Sequence, residues 1–202
     1  MKRVILCANM TKDVHYNKDV HYIGVDGGAL SLLEKNIPMD YAIGDFDSIS
    51  SEQFAQLKEA TTLIQLESEK DDSDSEHALK FALEHYDEVA LTGVIGGRMD
   101  HFIAIYNLMA YQKLNFAIFD TQNYIYPLEV GEYRMDKRTT YLSFFACEDS
   151  EVTLQGVKYP LVHRKLSSKD VYTVSNEIIE PYAVLEVHSG RVIVIESDDA
   201  NT

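Results

Sequence analysis

Apolar runs separated by polar turns organise the first part of the chain. "RVILCAN" reads as a buried strand and "YIGVDGG" as a second, followed by "ALSLLEKN", whose apolar positions recur at helical spacing. "YAIGD" is a third strand leading into the helix "SEQFAQLKEA", and "TTLIQL" a fourth. After an acidic loop, "DSEHALKFALEHY" puts Ala78, Leu79, Ala82 and Leu83 on one helix face. "EVALTGVIG" is a fifth strand, "DHFIAIYNLMAYQKL" a longer helix and "NFAIFD" a sixth strand. Alternating strands and helices predict a parallel sheet with helices on its faces.

The pattern changes near Asn123. Helical spacing disappears, and β-branched and aromatic residues dominate "YIYPLEV", "TTYLSFFA", "EVTLQGV", "DVYTVSN", "AVLEVHS" and "RVIVIES". These read as short strands, with turns at "EVGEY" and "HSGRV" where glycine permits positive φ. The expected fold class is therefore α/β: an N-terminal parallel sheet flanked by helices over residues 1–122, then a smaller antiparallel β-sandwich over 123–202.

Composition narrows the function. A formal net charge of -15 argues against a nucleic-acid surface, where affinity comes largely from Lys and Arg on phosphates. The two cysteines, Cys7 and Cys147, form no CxxC pair and have no histidines at zinc-site spacing; Cys7 lies in a core strand. The apolar run after "MKR" is too short for a signal segment, and no stretch approaches the ~18 apolar residues of a membrane span. A cytoplasmic, reduced protein is expected.

The unusual residues gather where ligands bind in open parallel sheets, outside the carboxyl ends of the strands. Asp26, Gly27 and Gly28 follow the second strand, and Asp45 and Asp47 the third. Asp71, Asp72 and Asp74 follow the fourth; Gly96, Gly97, Arg98, Asp100 and His101 follow the fifth. A lone aspartate in such a loop is more often a helix cap. Here, however, Ser50-Ser51-Glu52-Gln53 is a capping box for the helix after "GDFDS", so Asp45 and Asp47 are not needed. One of Ser73, Asp74 and Ser75 suffices for the next helix. The remaining carboxylates repel unless a cation neutralises them. Oxygen-only donors favour Mg²⁺, which is commonly shared between carboxylates and substrate phosphates. The loops thus predict a metal–polyphosphate site, with Arg98 beside it. His101 suits that site and a partly buried helix position equally. In an extended loop, Phe46 is the spacer that sends Asp45 and Asp47 the same way. Neither G-x-x-x-x-G-K-[ST] nor a G-x-G-x-x-G after the first strand is present.

"GVDGGA", "GDFDSI", "EKDDSDSEHAL", "GVIGGRMDH", "GVKYPL" and "VSNE" occur in the order seen in thiamine pyrophosphokinases. The chain resembles that family from about residue 22 to 178. Two departures stand out: Ser73 replaces the family's usual Thr, and the first strand ends in "CANM", poorer in glycine than the family pattern.

The resemblance implies transfer of a diphosphate from ATP to the hydroxyl of thiamine, giving thiamine diphosphate and AMP. It also implies a homodimer with active sites between subunits. On this reading Asp45, Asp47, Asp71 and Asp74 hold Mg²⁺ directly or through water. Asp71, Asp74, Arg98 and Asp100 form the catalytic group. Arg98 contacts phosphate oxygens, and Asp100 binds metal or orients the thiamine hydroxyl. Asp26, Gly27, Gly28, Asp45, Arg98 and His101 line the ATP side. Ser175, Asn176 and Tyr159, next to Lys158, resemble the thiamine-binding stretches. Two alternatives come from other classes. "DFDSI" resembles the loop of haloacid-dehalogenase-type phosphatases, with Asp45 as nucleophile, although that loop normally follows the first strand. The other alternative is a non-catalytic nucleotide sensor.

Overall fold

The near-continuous apolar runs of the first half form parallel strands, because such strands are covered on both faces. The structure is a computed structural model that describes residues 1–12, 14–67 and 73–200. Two units make up the chain: Met1–Leu108 with Asn115–Asp120, and Met109–Leu114 with Thr121–Thr202.

In the first unit, β1 (Arg3–Cys7), β2 (His21–Val25), β3 (Tyr41–Gly44), β4 (Thr62–Gln65), β5 (Glu88–Thr92) and β6 (Ala117–Phe119) lie in the order β4-β3-β2-β1-β5-β6. All neighbours pair in parallel. The helices are α1 (Gly27–Glu34), α2 (Ser51–Ala60), α3 (Asp74–His85) and α4 (Met99–Ala110). Leu32 of α1 and Leu57 of α2 pack with Tyr22 and Ala42 in one core, while α3 buries Ala78, Leu79 and Ala82. Helix α1 ends at Asn36, which is left-handed at φ 53. Ile37 and Asn36 donate back to Leu32 and Leu33 at 3.0 Å each, the pattern of a Schellman stop. The chain runs from β1 outward to β4 and then crosses to β5 on the other side of β1. The strand order therefore reverses between β1 and β5, the kind of place where ligands bind at the carboxyl edge of an open parallel sheet.

The second unit has two antiparallel sheets. One contains β7 (Asn123–Leu128), β13 (Val192–Ser197) and β9 (Tyr141–Ala146), in that order. The other is ordered β11 (Leu161–Leu166), β10 (Ser150–Gln155), β12 (Tyr182–Ser189), β8 (Gly131–Asp136). Alternate residues point inward: Ala183, Leu185 and Val187 from β12 share a core with Leu142 and Phe144 from β9 and Val194 from β13. Opposite Leu185 and Val187 in the register stand Leu154 and Val152.

Several details differ from the pattern in the sequence, among them β8, which begins inside the turn candidate "EVGEY". The fifth strand stops at Thr92, because Gly93 turns at φ 81. "DVYTVSN" is no strand: Val171 and Val174 face solvent, Ser175 breaks the run at φ 55, and only Thr173 and Asn176 share backbone–backbone bonds with β9. "LVHRKL", which lacks alternation, is the edge strand β11, exposed along most of its length. Among the described residues no helix is long and apolar enough to cross a membrane.

Phe46 is buried at 6% exposure, its ring 5.9 Å from that of Phe54, although its backbone is left-handed at φ 57. The loop after β3 is thus anchored in the core. Phe46→Ala should lower the free energy of urea unfolding by roughly 3–5 kcal/mol, the usual cost of emptying a buried phenylalanine site.

Candidate functional site

Capping decides which carboxylates are left for chemistry. Ser50 caps α2: its Oγ accepts from Gln53 N at 3.2 Å, and Gln53 Oε1 accepts from Ser50 N at 2.9 Å. Ser73 caps α3, accepting from Glu76 N at 3.2 Å, which leaves Asp74 as the first helical residue. Asp26 precedes α1 at φ 49, ψ -125, and its side chain does not cap that helix. Its backbone N–H donates to Ile43 O at 3.0 Å, extending the β2–β3 ladder by one bond.

The structure brings Asp26, Asp45 and Asp74 together. One carboxylate oxygen from each lies within 4.8 Å of the other two, and all three residues are half-buried. Asp47 is exposed and stands outside this group. The loop is not extended: Phe46 turns through left-handed backbone to bury its ring, so Asp45 and Asp47 do not point the same way. Asp47 instead donates its N–H to Asp45 Oδ1 at 3.1 Å. Asp71 lies outside the described residues.

The three aspartates line a cleft of about 530 Å³ at the carboxyl edge of the parallel sheet. Arg98, Asp100 and His101 line the same cleft. Arg98 donates twice to Asp100, from Nε at 3.1 Å and from Nη2 at 2.5 Å. This fork pairing, with a further bond from His101 N, holds the Asp100 carboxyl down at about 2 and pushes the Arg98 guanidinium up. Both side chains remain more than half exposed, so the pair is open to exchange with a ligand. Gly28 serves close packing, since a methyl there would strike the Cys7 carbonyl oxygen. A methyl at Gly27 would lie 3.0 Å from Asn9 Oδ1.

Asn9, Met10 and Ser75 also line the cleft, and the sequence assigns none of them a place at the site. Asn9 and Met10 belong to the "CANM" loop. That loop reaches the site because β1 pairs with β5, with Met10 N donating to Gly93 O at 3.0 Å. No local signal could have revealed a pairing across more than eighty residues.

In the second unit, Asn176 is buried and its amide is committed on both sides. Oδ1 accepts from Tyr159 N and Glu177 N, each at 3.0 Å, and Nδ2 donates to Tyr159 O at 2.9 Å. Ser175 is exposed, and its N–H donates to Ser143 Oγ at 2.9 Å. Lys158 pairs with Glu177 at 2.7 Å, which raises the Lys158 ammonium and lowers the Glu177 carboxyl. Tyr159 and Asn176 line a pocket of about 360 Å³ walled by Phe144, Leu161 and Tyr172.

Comparison with known proteins covers both units. Residues 13–119 match the family model for the thiamin pyrophosphokinase catalytic domain, and 128–192 match that for its vitamin B1 binding domain. A thiamine pyrophosphokinase of Bacillus subtilis is 33% identical over 95% of this chain and 94% of its own. A solved thiamin pyrophosphokinase family protein from Enterococcus faecalis superposes with a TM-score of 0.89 at 33% identity, covering 98% of this chain and all of that one. The Bacillus subtilis enzyme structure gives 0.86 at 31% identity over the same share of this chain. Neither the haloacid-dehalogenase reading nor the sensor reading gains support from these likenesses. With both of its halves matched in order and along nearly their whole length, the chain belongs to the thiamine pyrophosphokinase family.

Proposed function

We propose that the protein transfers a diphosphate group from ATP to the hydroxyl of thiamine, releasing AMP. The observation that carries this reading is the convergence of Asp26, Asp45 and Asp74, none of whose side chains caps a helix, in the switch-point cleft of a chain from this family. Their donor set contains only carboxylate oxygen, which fits a hard cation such as Mg²⁺ and not zinc. Asp26, Asp45 and Asp74 would hold that ion, with Asp47 and Asp71 as the further ligands the sequence suggests, directly or through water. When bound, Mg²⁺ neutralises the triphosphate and polarises the transferring phosphoryl group.

The chain's own residues then position and discharge. Gly27 and Gly28 bring the N-terminus of α1 to the nucleotide side, where N–H groups favour phosphate. Arg98 exchanges Asp100 for phosphate oxygens. Asp100, ionised far below neutral pH, accepts the hydrogen bond of the thiamine hydroxyl and orients it. His101 flanks the phosphates. In-line attack forms the bond between the hydroxyl oxygen and the β-phosphorus and breaks the bond to the α-phosphate bridge, so AMP leaves. Tyr159, Ser175 and Asn176 are proposed to receive thiamine. The aromatic walls of their pocket suit a flat cationic ring. Residues 1–122 and 123–202 would divide these tasks as catalytic and thiamine-binding domains. We further propose a cytoplasmic homodimer with active sites between subunits. Exposed apolar residues of the second unit, including Val162, Val171 and Ile179, supply a surface for association.

Incubation with ATP, Mg²⁺ and thiamine should yield AMP and thiamine diphosphate in equal amounts by ion-exchange chromatography. ADP as the nucleotide product would overturn diphosphate transfer. Asp74→Asn should lower kcat/KM by about 10²-fold or more, as loss of one charge-stabilising group typically does. Its urea midpoint should move little, because one first-turn charge contributes about 0.3–1 kcal/mol. Activity close to that of the parent would remove Asp74 from the site.

A further inference from the structure

Gly44 closes β3 immediately before Asp45. Its backbone does not explain the choice of glycine: it is a buried strand residue outside the positive-φ set. Glycine in a strand interior is weaker than alanine by roughly 0.5–1 kcal/mol. What glycine provides here is space. Across the parallel register, Val25 stands opposite Ile43, so Asp26 comes to lie beside Gly44. A methyl group at Gly44 would overlap Oδ1 of Asp26, and would sit 3.0 Å from its Cγ and 3.2 Å from its Cα. The place of the missing side chain is thus taken by the carboxylate of the neighbouring strand.

The obstructed atom decides the consequence. At Gly28 a methyl would meet the backbone carbonyl of Cys7, and at Gly24 it would lie 2.9 Å from the backbone nitrogen of Ala29. Neither can retreat without moving α1 on the sheet. At Gly44 the overlapped atom is the far end of a short side chain. The Asp26 carboxylate can swing aside, and the backbone need give only a few tenths of an ångström. The swing would carry it away from Asp45 and Asp74.

We propose that Gly44 is a positioning residue: its missing side chain seats the Asp26 carboxylate beside Asp45 and Asp74 and so sets the affinity of the cluster for a divalent cation. This rests on the metal reading given under Proposed function. Gly44 touches no reacting atom and acts through Asp26 alone.

The test is a double-mutant cycle in Mn²⁺ affinity, read from the electron paramagnetic resonance of free Mn²⁺ with the full chain and no nucleotide. Mn²⁺ serves as an oxygen-seeking probe. The variants are Gly44→Ala, Asp26→Gly and the pair combined; glycine suits the positive φ of position 26. Gly44→Ala should weaken Mn²⁺ binding about tenfold or more while keeping the parent's circular dichroism. In the Asp26→Gly background the same change should add less than a twofold loss, because the carboxylate it displaces is gone. Parent-like Mn²⁺ affinity in Gly44→Ala would overturn the proposal alone, as would an equal loss in both backgrounds. If Gly44→Ala does not fold, recovery of the fold in the double variant supports the clash with Asp26. Failure to recover overturns it. Absence of Mn²⁺ binding by the parent would overturn the metal reading, and the proposal with it.

Discussion

Three carboxylates, from Asp26, Asp45 and Asp74, converge within 4.8 Å, and separate elements of the first unit bring them there. Like charges are held this close where backbone geometry positions them. Here the parallel ladder between β2 and β3 fixes Asp26. Phe46, buried in the core, anchors the loop carrying Asp45, and the Ser73 cap sets Asp74 at the head of α3. Each device is a fold contact, and each delivers one carboxylate. A cation shared with a triphosphate, as proposed, would turn this repulsion into binding energy.

The cleft also separates fixed from exchangeable charge. The aspartates stand on strand ends and a helix start, which are rigid elements. Arg98 and Asp100 are exposed and satisfy each other. An exposed pair of this kind contributes little to stability. In the function proposed, exchange of Asp100 for a phosphate would replace one charge-assisted pair with another. In the second unit the Asn176 amide is bonded to the Tyr159 backbone on both sides, and aromatic rings line the pocket beside it.

Much of this was legible in the sequence, because strand–helix alternation, capping boxes and motif order are local. The switch from α/β to antiparallel β, the cap at Ser50 and the family could all be read directly, while the cap of α3 was left open among Ser73, Asp74 and Ser75. Asp45 and Asp74 were read as metal ligands, together with Asp47 and Asp71. Asp26 was read only as a nucleotide-side residue. Its meeting with Asp45 and Asp74 depends on β2–β3 register and on the gap at Gly44, and neither leaves a local signature. Asp47 looked equivalent to Asp45 because extended chain was assumed between them, whereas burial of the Phe46 ring outweighs the cost of left-handed backbone. The "CANM" loop carried no motif, and its place in the cleft follows from the β1–β5 pairing alone.

The most direct measurement of the central claim is anomalous diffraction from crystals grown with Mn²⁺ and a non-hydrolysable ATP analogue. The account predicts a Mn²⁺ peak coordinated by oxygens of Asp26, Asp45 and Asp74 together with phosphate oxygens of the analogue, at the carboxyl edge of β2 and β3. Mn²⁺ held only by the phosphates, or a nucleotide seated away from the three aspartates, would contradict it.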